Sequence, residues 1–395
     1  MSQIIRWIVG TLIVISIASC AGFSKKESAE RNPSSLVERP PQFVLLAFDG
    51  SKSLNMWENT RAFAKVANAK FTYFISGVYF LESSVRSEYK GPGHKRGRSD
   101  IGFGNDLEDV RERLQQIMLA VKEGNEIGSH ANGHFNGSKW SQHQWETEFV
   151  QFDQFLVGAW QRAGLEEPRE WFDISTFKRV GFRAPLLGYS KGLWPALKNF
   201  NFKYDTSRVS SPDYWPHIRD GVWNFPLASI RRYGTKYSTL SMDYNFYYSH
   251  SKGKRGEPSD FADYREEMYK SYLQYFKTNY LGNRAPVHIG HHFSTWNGGA
   301  YYAALKDFAN TVCSLPETRC VTYTELMNFL EDHQDEIKSY QAGKFKKINP
   351  EVAYQYFPKD VQNISFDSGE IDDSQVNEFM KAMRDGKINP HPEED

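Results

Sequence analysis

Phe43-Val44-Leu45-Leu46-Ala47-Phe48, closed by Asp49-Gly50, is an unbroken apolar run that ends on a carboxylate. An apolar run this short, with no polar alternation, fits a strand buried on both faces, as in a parallel sheet covered by helices. The chain around it alternates. Residues 54–69 have helical spacing, with Met56, Trp57, Phe63, Ala64 and Ala67 on one face, and residues 70–75 read as a buried strand. Residues 84–107, rich in Gly, Lys and Arg, read as an irregular insertion. Helices are predicted over 108–123, 141–162, 190–199, 259–279, 299–312 and 322–332, and strands over 125–129, 180–183, 202–204 and 287–293. Residues 222–248 read as strand-rich and aromatic. Such alternation predicts an α/β fold with parallel strands under helices. Polar residues recur where apolar strands stop: Asp49, His130, Arg183, Asp205, His291 and His292. In barrels of this kind the carboxyl ends of the strands form the reactive face.

The second informative stretch is Gly128-Ser129-His130-Ala131-Asn132-Gly133-His134. Two imidazoles at i and i+4 converge on a point where a tight turn begins. Zinc takes neutral imidazole and carboxylate ligands and, when catalytic, keeps a place for water. A carboxylate beside that water serves as general base, a histidine across the carbonyl protonates the leaving group, and an arginine holds the base in place. A lone histidine is more often a satisfied polar residue than a ligand, but the paired spacing favours a site. Asp49 could also cap the helix after it, Arg183 could be a plain ion-pair partner, and Asp205 could be a turn former.

These segments, in this order, resemble the polysaccharide deacetylases, the NodB-homology carbohydrate esterases of family 4, over residues 41–332; the wording is closer to the chitin-deacetylase-like branch. Ala47-Phe48-Asp49-Gly50 is similar to the first motif, Thr-Phe-Asp-Asp, and His130 to His134 to the His-x-x-x-His motif. Gly181-Phe182-Arg183-Ala184-Pro185 is similar to the Arg-x-Pro motif, Tyr204-Asp205-Thr206-Ser207 to the fourth motif, and the segment from Asn283 to Trp296 to the last strand. The resemblance implies a distorted (β/α) barrel and a divalent metal, zinc first, on His130 and His134 with help from Asp49. It implies Asp49 as base, Arg183 orienting it, and Asp205 tuning a catalytic acid at His291 or His292. Counting from Pro286 favours His292, whereas strand alternation favours His291. It places an oxyanion donor near Leu186.

The sequence departs from the family pattern at three points. Gly50 stands where the family has a second, metal-binding aspartate, Ala131 follows the first histidine, and Leu186-Leu187 replaces an aromatic. Asp49, another acid such as Asp243, or water could take up the missing position. The implied activity is hydrolytic deacetylation, N-acetyl first, of a polysaccharide such as peptidoglycan glycan or chitin-like oligomers. O-acetyl ester hydrolysis, and a deacetylase fold that binds glycan without turnover, stand beside it.

Composition narrows the field further. Lys plus Arg and Asp plus Glu are both 48, so there is no basic surplus to offset nucleic-acid phosphates. Aromatics make up 15%, which suits a sugar-stacking surface or a large aromatic core. Trp140, Trp145, Trp215 and Trp296 are each expected in the core, and His94, His143, His217, His250 and His288 are expected to be structural.

Residues 1–19 read as a lipoprotein signal: Arg6, a short apolar run, then Ile17-Ala18-Ser19 before Cys20. Residues 20–40 read as a polar tether. The expectation is an exported protein, lipid-anchored to a membrane through Cys20, on a periplasmic face or the cell surface. Cys313 and Cys320 are expected to pair as a disulfide in an oxidising compartment. Residues 333–395 read as a polar, acidic extension, helical or partly disordered.

Overall fold

The computed structural model describes residues 36–165, 180–366 and 371–388. Among the described residues there are twelve strands: β1 Gln42–Gly50, β2 Phe71–Ile75, β3 Glu126–Ser129, β4 Gly181–Phe182, β5 Tyr204–Asp205, β6 Val209–Ser210, β7 His217–Arg219, β8 Val222–Asn224, β9 Leu227–Arg231, β10 Ser238–Leu240, β11 Val287–His292 and β12 Thr318–Cys320. The main sheet runs β11-β1-β2-β3-β4-β5-β8-β7, and β12 pairs with the start of β1. All these pairings are parallel except β7 with β8. A second sheet, β10-β9-β6, meets β11 through a Met242–Gly290 bridge and a 2.8 Å bond from Gly290 N to Ser241 O. Successive strands lie side by side and the last long one returns beside the first. The fold is therefore a distorted (β/α) barrel.

The reason lies in β1, every residue of which is buried. Side chains alternate across a strand. Val44, Leu46 and Phe48 pack outward with Trp57 and Phe63 of the helix Leu54–Val66. Phe43, Leu45 and Ala47 pack inward with Phe74, Tyr204 and Tyr323. Ser53 starts that helix by accepting from Met56 N. Further helices span Leu107–Lys122, Gln142–Arg162, Phe261–Leu281 and Trp296–Val312. Cys313 and Cys320 form a disulfide, Cα–Cα 5.5 Å.

One region differs from expectation. The aromatic stretch 222–248 gives three short strands and then a helix, Asp243–Ser251, which the sequence reading missed. Tyr244, Asn245, Phe246 and Tyr247 of that helix are all buried, so it has no polar face to set a helical period. Helix is one of two expectations for the C-terminal extension, and its described residues, 333–366 and 371–388, are largely helical. The extension forms helices at Gln334–Gln341, Pro350–Tyr354, Lys359–Asn363 and Ser374–Arg384, and it buries Phe345, Phe357, Val361, Ile364, Phe379 and Met383. The described residues from Val37 onward form one compact unit, and Val37 bridges to Phe345. Among the described residues no helix is long and apolar enough to cross a membrane. The signal segment, Cys20 and residues 389–395 lie outside the described residues.

Candidate active site

Asp49 and His292 are register partners at the ends of the paired strands β1 and β11. Together with His130 and His134 they line one cavity, closed by Ala184, Leu186, Leu187, Leu240, Met242, Tyr244, Asn245, Phe379 and Met383. Its volume is about 20 Å³, room for about one water. The four polar residues are 2–6% exposed.

Arg183 organises one side. Its Nη1 donates to Asp49 Oδ1 at 2.7 Å and its Nε to Thr206 Oγ1 at 2.7 Å. Its Nη2 lies 3.0 Å from both His288 Nε2 and the Tyr323 hydroxyl. The guanidinium also sits over the Phe74 ring, 4.5 Å from its centroid. His288 Nδ1 lies 2.7 Å from Pro226 O, so that nitrogen carries the proton and Nε2 accepts. Burial, then the neighbouring Arg183 charge, holds His288 well below the usual histidine value, so it is a neutral acceptor. Burial pulls the Arg183 pKa down, but the Asp49 charge reverses this and the net shift is upward.

His292 is the second functional element. Its Nδ1 lies 2.6 Å from Asp243 Oδ1, and its backbone N donates to Asp243 Oδ2 at 2.8 Å. Nε2 is left as the other proton-bearing atom of the ring. Burial lowers the His292 pKa, but the charge and hydrogen bond of Asp243 outweigh it, and the net shift is upward. Burial raises Asp243, and the His292 and His291 imidazoles reverse this to a net lowering. His291 points the other way, toward the helices. Its ring packs against Phe48 and Tyr272, and burial holds it down at about 4 despite Asp243. The alternation along β11 puts His288, Gly290 and His292 on the inner face. Reading His291 as the inward residue had the strand one position out of register.

The carboxylate beside His292 is Asp243, from the helix that the sequence reading missed. Asp205 does not line the cavity. It accepts from Ser207 Oγ at 2.6 Å, and burial lifts it to about 6. Ser207 Oγ in turn accepts from Ala184 N at 2.8 Å, which fixes the turn after Arg183. His288 and Tyr323 are thus site residues the sequence reading left out, and Asp243, named there only as an acid that could replace a missing metal ligand, instead partners His292. The one available signal was the two-residue period His288-Gly290-His292 on β11.

The His130–His134 loop leaves β3 on the other side. His130 Nδ1 lies 2.8 Å from Arg183 O, which leaves Nε2 unprotonated, and burial pushes the imidazole down to about 3. A neutral histidine with an oriented ring is the form that binds a metal. Ala131 and His134 have φ of 52° and 59°, a left-handed geometry that needs outside support. Buried Glu148 supplies it. Asn132 Nδ2 donates to Glu148 Oε2 and O, both at 2.8 Å. Tyr89 donates to Glu148 Oε1 at 3.0 Å and accepts from Gly133 N at 3.1 Å. A Cβ at Gly77 would come 2.1 Å from Asn132 Oδ1, so only glycine lets the loop seat there.

A catalytic zinc takes three protein ligands. Here Asp49 Oδ1 is taken by Arg183 Nη1, and Gly50 has no side chain. Among the described residues no group of three His, Cys, Asp or Glu could hold a metal ion. His130 fits a ligand role, but the full donor set does not fit that shell. Leu186 and Leu187, beside the cavity, also have positive φ, 59° and 48°. The tryptophans singled out from sequence are all buried, and Trp296 lies 5.4 Å, ring to ring, from His292.

No family model and no curated protein sequence matches the chain. Among solved structures, a candidate polysaccharide deacetylase from Mycobacterium smegmatis is similar at 13% identity and a TM-score of 0.48, with 76% of this chain and 95% of that one aligned. A family 4 acetyl xylan esterase from Clostridium thermocellum, in complex with a cobalt ion, has 14% identity and a TM-score of 0.39, covering 73% and 92%. A CE4-family pseudoenzyme from Bacillus anthracis has 9% identity and a TM-score of 0.35, covering 76% and 64%.

Proposed function

We propose that this protein is a carbohydrate deacetylase of the NodB-homology type that hydrolyses acetyl groups, N-acetyl first, on an acetylated glycan. The observation that supports this most is the meeting of two proton-handling pairs, Asp49–Arg183 and His292–Asp243, on neighbouring strand ends around one small cavity. Asp49 takes the proton from an attacking water as its oxygen bonds to the acetyl carbon. Arg183 keeps that carboxylate oriented. His292 Nε2 then gives a proton to the leaving nitrogen as the C–N bond breaks, and Asp243 stabilises the imidazolium. An acetyl ester would follow the same steps with an oxygen leaving group. No step is assigned to a metal, because the donor set does not fit one.

A second reading has its own support. Gly50 and the absence of a three-residue metal group among the described residues favour a protein that binds acetylated glycan without turning it over. Acetate release from acetylated oligosaccharides, with and without added Zn²⁺, separates the two. Release that vanishes in His292→Ala and Asp49→Asn supports the hydrolase. Glycan binding with no release under any condition supports the binding protein.

We infer that the chain is exported and anchored by lipid at Cys20. The reading rests on the segment 1–22 and fits the Cys313–Cys320 disulfide. Loss of radiolabelled palmitate incorporation in Cys20→Ser is the expected outcome.

A further inference from the structure

The C-terminal helix Ser374–Arg384 brings a new wall to the cavity. Its apolar residues Val376, Phe379 and Met383 recur on one face and are 4–7% exposed. Phe379 packs against Tyr244 and Tyr248, with ring centroids 6.0 and 5.2 Å away. Met383 is tied down by Asn136 Nδ2, which donates to its carbonyl at 3.1 Å, and Asn136 lies just past the His130–His134 loop. The helix start is fastened too. Tyr237 bridges to Asp372, Ser238 N donates to Asp372 O at 3.2 Å, and Ser229 Oγ donates to Asp373 Oδ1 at 3.1 Å. Phe379 and Met383 line the same cavity as Asp49, His130, His134 and His292.

A cavity of about 20 Å³ holds a water but not a sugar ring. In an open groove the reacting polar groups would meet solvent, yet His130 and His134 are 2% exposed, Asp49 3% and His292 6%. We propose that Phe379 and Met383 are specificity-determining residues that keep a glycan chain from lying across the site. A short carrier that reaches in with its acetyl group is then accepted in preference to a polymer that must lie across the site. This rests on the deacetylase reading above.

The test compares full-length protein with the full-length double variant Phe379→Ala/Met383→Ala on di-N-acetylchitobiose and on polymeric glycol chitin. The polymer-to-dimer ratio of acetate release should rise at least about tenfold in the variant, the scale on which apolar pocket contacts discriminate. Wild-type protein that deacetylates polymer as fast as dimer, or a ratio unmoved by the variant, overturns the proposal. Acetate release from neither substrate by either protein removes the deacetylase reading instead. The wall is then judged by carbethoxylation of His292, mapped by mass spectrometry. The proposal expects slow labelling in wild type and about tenfold faster labelling in the variant; equal rates overturn it. Phe379→Ala alone, which keeps Met383 in place, repeats both measurements if the double variant unfolds early.

Discussion

The two sides of the cavity are built to different standards of completeness. On the β1–β11 side each charge has a partner: Asp49 has Arg183, His292 has Asp243, and Arg183 also meets Thr206, His288 and Tyr323. On the β3 side two imidazoles are held in a left-handed loop by Glu148, Asn132 and Tyr89, while Gly50 leaves the place of a third ligand without a side chain. On the function proposed above, the groups that would move protons are each paired, and the groups that would grip a cation lack a third side chain. The lesson is that the two halves of such a site are supported separately, so one can persist without the other.

The largest way to break this comparison is at the proton-handling side. His292→Ala should lower kcat for acetate release by about 10²- to 10⁴-fold, as loss of a general acid does. A drop under about tenfold would move the acid elsewhere. Asp243 holds the His292 pKa above the ordinary histidine value, so activity needing the protonated ring should fall as pH rises through that raised pKa. Asp243→Asn should shift the fall to lower pH. The sign for stability is the same: the His292 contribution is complete below the unfolded histidine value and lost as pH rises through the folded one.

Arg183→Met leaves Asp49 buried beside an apolar side chain. Unfolding in urea should show a loss of about 3–5 kcal/mol, the usual effect of stranding one member of a buried pair. Next comes the support of the other side. Burial lifts the Glu148 carboxyl to about 7, against the donors Asn132 and Tyr89. Its neutral form therefore favours the fold, with stability full below the ordinary carboxyl range and lost as pH rises through about 7. Glu148→Gln should flatten that loss, worth up to about 3 kcal/mol between pH 5 and 8. A wild type equally stable at both pH values would contradict it. The smallest effect sharpens the contrast. Gly50 has φ 98°, so Gly50→Asp should cost about 1–3 kcal/mol in strain. The same change should strengthen Zn²⁺ binding in calorimetry, and unchanged binding would place the gap elsewhere.

Much of the architecture was legible in the chain, because the unbroken apolar strand ending in Asp49 declares a buried parallel sheet, and polar residues at strand ends, His130 among them, mark its rim. The choice between His291 and His292 was not, since it turns on one residue of register on β11. The place of Asp243 beside His292 was hidden by a helix whose first five residues are all buried and whose aromatic run imitates strands. The C-terminal helix carried its signal openly, Val376, Phe379, Met380 and Met383 at helical spacing, but the polar residues around it concealed what it covers.

One strand joins chemistry to covalent bracing. The residue Val44 of β1 pairs with Cys320, and Asp49 lies five positions further along. At about 3.3 Å per residue the crosslink sits roughly 16 Å from the carboxylate, at the foot of the barrel. A reducing agent should therefore shorten the protein's shelf life under heat while sparing the proposed acetate release in the molecules still folded. Durability and reactivity are wired to opposite ends of the same nine-residue strand.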